Sequence, residues 1–349
     1  MCSSLSTQRP VWIGMSGGVD SSLSAALLLE SGRDCTGVTL DLGRGDSEAV
    51  SIAAAAAVCE HLGIEHRVVD LAAEFREAVV DATAAAYARG LTPNPCVICN
   101  VLIKFGMLFD LAASAGADLA TGHYVRRVGE GAQSRLAMAA DPTKDQSYFM
   151  YRLTPDVLAG LVFPLGELTK VQVRVLAAGR GIDAMHTAES QDACFLGAGG
   201  YPALVQSLYP DACARGSVVT ADGTVIGTHD GICRFTVGQR KGLGIASTEP
   251  LYVTRIDAAA NTIMVGPYND LERRTLTASD AVWSGGEGIV ECDVKVRYNS
   301  PTVPARVSHV GSGLHIELAV PVFGAAPGQS AVCYRGDTVI GGGFIGEDL

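Results

Sequence analysis

The 349-residue sequence is short of charge: only 18% of its residues are Asp, Glu, Lys or Arg, while 48% are hydrophobic. Such a chain buries sizeable cores and is not disordered. Basic residues are in deficit, 26 Lys and Arg against 37 Asp and Glu, for a net charge of −11. Phosphate contacts usually show as a basic surplus, so recognition of a nucleic acid has to rest on local residues. No apolar run approaches the ~20 residues of a membrane helix, and Met1–Pro10 lacks the hydrophobic core of a secretory signal. The expectation is a cytoplasmic protein with no membrane partner. No internal repeat is present, and no low-complexity tract beyond the helix-favouring Ala53–Ala57. Cys2, Cys35, Cys59, Cys213, Cys233, Cys292 and Cys333 lack the spacing of a disulfide framework and read as reduced thiols. Cys96, Cys99 and Cys194 call for a separate account.

At roughly 150 residues per domain, the length points to two or three domains. The first third alternates short apolar runs with alanine-rich helical stretches: Val11–Met15 then Ser21–Glu30, Cys35–Asp41 then Glu48–Leu62, His66–Val69 then Ala72–Ala88. This βαβαβα order predicts a parallel sheet with right-handed crossovers and ligands at the carboxyl ends of the strands. A proline-bearing loop at Leu91–Cys96 precedes a helix from about Asn100 to Ala115 and a strand at Asp118–Thr121. Helical pattern returns near Asp145–Arg152 and at Lys170–Arg180. Beyond about Gly200 the texture is β: a hairpin on Asp222-Gly223, then Leu251–Ile256 and Thr262–Val265. Evenly spaced runs at Val294–Tyr298, Val303–His309, Leu314–Leu318 and Ser330–Tyr334 predict a small barrel.

The first strand-to-helix junction carries Gly14-Met15-Ser16-Gly17-Gly18-Val19-Asp20-Ser21-Ser22. Glycines there let the backbone N–H groups and the helix N-terminus converge on an anion-sized space, as a phosphate cradle requires. A tight turn with Asp20 or Ser21 capping the helix would use the same residues. The loop fits neither Gly-x4-Gly-Lys-Ser/Thr nor Gly-x-Gly-x-x-Gly, and it contains no lysine.

Thr92-Pro-Asn-Pro-Cys-Val-Ile-Cys-Asn100 sets Cys96 and Cys99 three residues apart at a helix start, where the positive helix end favours thiolate. Zinc would need about four ligands, and the sequence has no second close Cys or His pair to complete the set. A redox dithiol or a buried structural thiol remains open. Cys194 lies in Ser190-Gln-Asp-Ala-Cys-Phe-Leu196, at the edge of the β region.

Ser16-Gly-Gly-Val-Asp-Ser21 resembles the SGGxDS motif of the PP-loop (N-type) ATP pyrophosphatases, which cleave ATP between its α and β phosphates. Six blocks in order resemble the bacterial tRNA-specific 2-thiouridylases (MnmA family) over nearly the whole chain. They are this loop, Thr92–Asn100 with Ile103-Lys-Phe105, Ala120-Thr-Gly-His-Tyr124, Lys144-Asp-Gln-Ser-Tyr-Phe149, Ser190–Leu196 and Thr236-Val-Gly-Gln-Arg-Lys-Gly-Leu-Gly244. The resemblance implies an adenine-nucleotide α-hydrolase-like parallel sheet with helices on both faces in residues 1–200. It further implies a mostly β central domain in 201–275 and a C-terminal β-barrel in 276–349.

By the same resemblance the enzyme adenylates the C2 oxygen of the wobble uridine of tRNA with ATP and replaces it with persulfide sulfur. Cys99 would be the nucleophile and Cys194 the persulfide carrier, their disulfide being reopened by a reductant. Gly14, Met15, Ser16, Gly17, Gly18, Val19, Asp20, Ser21, Leu40 and Gly122 would bind ATP, with Mg2+ on its phosphates and no tightly bound metal. Asn94, Pro95 and Cys96 would touch the extruded base, and His123, Lys144, Asp145, Gln146, Arg297, Tyr298 and Gln329 the tRNA. A persulfide-donor protein is the implied partner. Some relatives carry aspartate where this chain has Cys96, so that residue's role does not transfer. The alternatives are another PP-loop adenylating enzyme of the amidotransferase type, or a non-catalytic tRNA- or sulfur-binding relative.

Overall fold

In the computed structural model, residues 9–182 and 193–347 are described. The chain divides into two compact units, the first from residues 1–76, 98–191 and 337–339, the second from 77–97, 192–336 and 340–349.

The first unit is built on a parallel sheet. Strands β1 (Val11–Gly14), β2 (Cys35–Asp41) and β3 (Glu65–Asp70) are separated by helices α1 (Val19–Glu30) and α2 (Asp46–Leu62). With β4 (Asp118–Thr121) and, farther along the chain, Leu161–Val162, they give the order β3-β2-β1-β4 followed by that last strand. Val11 and Ile13 are fully buried against Ala25 and Leu28 of α1 and Ala55 and Val58 of α2, which explains the alternating burial of β1. The chain steps from β1 outward to β3 and then returns to the other side of β1. The switch point therefore lies between β1 and β4, and their carboxyl ends open onto Met15–Gly18 and Gly122–His123. An antiparallel hairpin, β5 (Val125–Val128) with β6 (Arg135–Met138), which the sequence pattern does not announce, completes this unit.

One expectation fails here. Residues 145–152 form no α-helix, only a 3-10 turn at Ser147–Phe149. The buried Asp145 carboxylate accepts from the N–H groups of Ala139 and Ser147 and from the Ser147 hydroxyl, so local side-chain bonding replaces helical bonding. The helix Pro95–Ser114 is a second departure, since its 20 residues and mean hydropathy of 1.9 meet the length and composition of a membrane span. In the first unit its Ile103, Phe105, Leu108 and Ala112 are buried, and Phe105 packs edge-on against Phe163, so this face belongs to a protein core.

The second unit holds two β assemblies. The hairpin Arg215–Val219 with Val225–Asp230 turns at Asp222-Gly223, where Gly223 takes a positive φ of 84°. Tyr252–Asp257 and Thr262–Gly266 complete a four-stranded sheet. The strands Glu272–Trp283, Gly313–Phe323, Val303–Val310, Ile289–Lys295, Ser330–Arg335 and Thr338–Ile345 then close into an antiparallel barrel, the first pairing with the last. Leu276, Val294, Val307, Ile316 and Ala331 fill its core. The strand expected at Val294–Tyr298 begins at Ile289 and ends at Lys295, where the Arg297 carbonyl accepts from Ser300 in a turn.

Candidate functional site

The loop after β1 is shaped by contacts only glycine permits. Gly17 has φ +72°, and a Cβ there would stand 2.7 Å from the Ala54 Cβ. Gly18 caps α1 in an extended conformation with no side-chain hydrogen bond to the helix, so neither Asp20 nor Ser21 is its cap. Their absence from that role leaves the first turn of α1 in the state in which phosphate oxygens can take its N–H groups. Ser16 and Ser21 brace the turn: the Ser16 N–H donates to the Ser21 hydroxyl at 3.2 Å, and that hydroxyl donates to the Gly18 carbonyl at 3.1 Å. Met15 is buried, and its N–H donates to the Val38 carbonyl at 2.8 Å, which fixes the loop to β2. Val19 packs beside Leu23 and Tyr124. Leu40, two residues past the partner of Gly14, is half-buried at the carboxyl end of β2.

Gly122 sits against this loop from β4. A Cβ at Gly122 would meet the Asp20 carbonyl carbon and the Ser21 nitrogen, each at 2.8 Å. The absent side chain is what lets β4 and α1 close on each other. Asp20 is held by two side chains. Tyr124 donates its hydroxyl to Asp20 Oδ1 at 2.7 Å, and Lys170 Nζ lies 2.8 Å from both carboxylate oxygens. Lys170 was read from the sequence only as a helix start, because nothing local links it to a residue 150 positions earlier.

Tyr124 also carries the loop's order to its neighbours. Its N–H donates to Gln146 Oε1 at 2.8 Å, and the Gln146 N–H donates back to the Tyr124 carbonyl at 3.0 Å. His123 Nδ1 bonds with the Thr121 hydroxyl at 2.8 Å, and its ring lies 5.5 Å from Phe105. Burial, with the Lys104 charge nearby, holds the His123 pKa well below its ordinary value, so the ring is neutral near pH 7. Asp145 is buried with its carboxylate committed to the turn described above, and Lys144 is half-buried beside it. Cys99 is buried at the start of a π-helical stretch, Cys99–Met107, and the neighbouring Asn100 side chain donates to the Phe149 carbonyl at 3.1 Å.

In the second unit the loop ahead of the helix is pinned to the barrel. Thr92 donates its N–H to the Pro327 carbonyl and accepts from Gln329 Nε2 at the same 2.8 Å. Asn94 Oδ1 accepts from the Cys96 N–H at 3.2 Å and so starts the helix, with Pro95 buried and Cys96 exposed. Gln329 is thereby brought to the Asn94–Cys96 loop. Arg297 donates to the Phe323 carbonyl at 2.5 Å, and its Nε is buried with no hydrogen-bond partner among the described residues. The Tyr298 ring lies 5.5 Å from Lys295 Nζ. Cys194 is exposed in a short turn, while Ser190, Gln191 and Asp192 of its block lie outside the described residues, as do Met1–Gln8. Among the described residues no group of three or more His, Cys, Asp or Glu side chains could hold a metal ion.

Three family models tile the chain: a tRNA methyl transferase HUP domain over residues 9–198, a tRNA methyl transferase PRC-barrel domain over 204–267, and an aminomethyltransferase beta-barrel domain over 273–345. The tRNA-specific 2-thiouridylase MnmA of Chloroflexus aurantiacus is 45% identical over 96% of this chain and 98% of its own length. That of Rhodospirillum centenum is 43% identical over 96% of this chain and 91% of its own. Among solved structures, the U34-tRNA thiolase NcsA of Methanococcus maripaludis matches 60% of this chain and 66% of its own, with 19% identity and a TM-score of 0.38. The assignment rests on the full-length relatives: the chain belongs to the tRNA-specific 2-thiouridylase MnmA family.

Proposed function

We propose that this protein is a tRNA-uridine 2-sulfurtransferase that converts the wobble uridine, position 34, to 2-thiouridine at the expense of ATP. The observation that carries the reading is 45% identity to a 2-thiouridylase across 96% of the chain, with the Ser16–Ser21 loop intact. The descriptions of two matching family models speak of methyl transfer, but methyl transfer would leave a pyrophosphate-shaped loop and an exposed Cys194 without a role.

The chemistry needs two activations. The uridine C2 oxygen attacks the α phosphorus of ATP, the bond to the β phosphate breaks, and pyrophosphate leaves. The loop glycines and the uncapped first turn of α1 supply the N–H groups that would hold the pyrophosphate. Mg2+ bound with the nucleotide would neutralise phosphate charge. The terminal sulfur of a persulfide on Cys194 then attacks C2, and AMP departs with the former oxygen. Attack by the Cys99 thiolate on the Cys194 sulfur releases 2-thiouridine and leaves a Cys99–Cys194 disulfide, which a dithiol reductant reopens. A persulfide-bearing donor protein reloads Cys194, and a cytoplasmic location gives access to tRNA and to that reductant.

For the tRNA, Asn94, Pro95 and Cys96 would face the flipped base, with Gln329 bracing their loop and Arg297 and Tyr298 meeting the RNA backbone and a base. His123, Lys144, Asp145 and Gln146 would adjoin the nucleotide end. The test is tRNA-dependent ATP–pyrophosphate exchange. Exchange that appears only with a tRNA bearing uridine at position 34 supports the reading, and exchange without tRNA or with none at all contradicts it.

A further inference from the structure

The Gly-x4-Gly-Lys-Ser/Thr phosphate loop carries a lysine of its own, and Gly14–Ser22 has no cation. It does carry a carboxylate, Asp20, in the first turn of α1. A carboxylate beside a polyphosphate site repels the ligand unless something cancels its charge. The structure supplies that cation from far along the chain. Lys170 Nζ sits 2.8 Å from both Asp20 oxygens, with only 12% of the Lys170 side chain exposed against 27% for Asp20. The lysine is itself placed with care. Its helix, Lys170–Ala178, starts with a capping box between Thr169 and Gln172, and its N–H donates to Asp141 Oδ2 at 2.9 Å. The ammonium also lies 5.6 Å from the centroid of the Tyr124 ring, whose hydroxyl donates to the same Asp20 carboxylate.

We infer that Lys170 is a positioning residue for ATP: acting through Asp20, it cancels and orients the carboxylate so that a lysine-free loop accepts a triphosphate. Exposed ion pairs contribute little, but this pair is largely covered and stands where the ligand's charge arrives. The inference rests on the adenylation reading and extends it to a residue of the distant helix.

The test is calorimetric binding of adenosine 5′-(α,β-methylene)triphosphate, which cannot be cleaved at that bond, with adenosine as the uncharged control, both in EDTA. Three forms of the full chain are compared: native, Lys170→Met, and Lys170→Met with Asp20→Asn. An uncancelled Asp20 charge beside the phosphates predicts that Lys170→Met weakens triphosphate binding about 10-fold or more. Adenosine binding stays within about 2-fold, because no phosphate is present for an uncancelled Asp20 to repel. Asp20→Asn in the Lys170→Met background restores triphosphate binding to within about 3-fold of native, since the uncancelled charge is gone. Equal binding of triphosphate by native and Lys170→Met forms would overturn the inference. So would parallel loss of triphosphate and adenosine, or no restoration in the double variant, because either result marks a role in shape or direct phosphate contact. If the native chain binds adenosine but not the triphosphate analogue, in EDTA and with Mg2+ restored, the adenylation reading itself fails, and the inference fails with it.

Discussion

Gln329 donates its side-chain amide to the Thr92 carbonyl at 2.8 Å, so a turn of the barrel sets the position of the loop that begins the Asn94–Cys96 helix start. A loop that must present a base-sized pocket is fixed here by a residue 237 positions away. Replacing Gln329 with Ala removes that donor, and a net hydrogen bond of this kind contributes about 1 kcal/mol. The expected outcome is a raised KM for tRNA, about 5-fold, with tRNA-saturated kcat little changed. Steady-state thiolation kinetics check it.

Gly122 admits no side chain. In Gly122→Ala the new Cβ would press on the Asp20 and Ser21 backbone at 2.8 Å, and overpacking of this type costs about 1–3 kcal/mol. The melting temperature should fall, and pyrophosphate exchange should fall further than stability alone explains. A variant with native exchange would show that β4 and α1 do not need this close approach.

Asp20→Ala and Ser16→Ala should abolish AMP formation, by about 100-fold or more, while near-native circular dichroism shows the fold retained. Retained AMP formation in either variant would remove the loop from the chemistry.

Cys194→Ser should leave tRNA-dependent pyrophosphate exchange intact and eliminate persulfide loading, because activating oxygen and delivering sulfur are separate half-reactions. Intact-mass measurement after incubation with a persulfide donor reads the second step. A persulfide carried by the variant would move the carrier role to another thiol.

Burial lowers the pKa values of His66, His123 and His229, so the folded state binds fewer protons than the unfolded chain as pH falls. Stability from these groups is therefore present above the unfolded pKa, about 6.5, and declines as pH falls below it. Urea midpoints between pH 7.5 and 5.5 should decrease, and His123→Asn should flatten the decline.

The strand–helix alternation of the first unit was legible because each strand is a short apolar run between alanine-rich helices. The strand Glu272–Trp283 was not, because half of it is exposed and opens Glu-Arg-Arg-Thr. The helix Gly200–Leu208 was hidden by Gly200 and Pro202, which read as breakers although proline is tolerated in a first turn. Local motifs marked the glycine loop and the Cys96–Cys99 turn. The links of Lys170 to Asp20 and of Thr92 to Gln329 were invisible to pattern because each pair becomes neighbours only after folding.

The most direct measurement supplies the purified protein with ATP, Mg2+, a reductant, a persulfide donor and a tRNA bearing uridine at position 34, then quantifies modified nucleosides and AMP. The account predicts one 2-thiouridine at position 34 for each AMP formed, none with Cys99→Ser, and a measurable remainder with Cys96→Asp. AMP formed without 2-thiouridine in the native protein would contradict it, and full thiolation by Cys99→Ser with a trapped Cys96–Cys194 disulfide would reassign its nucleophile.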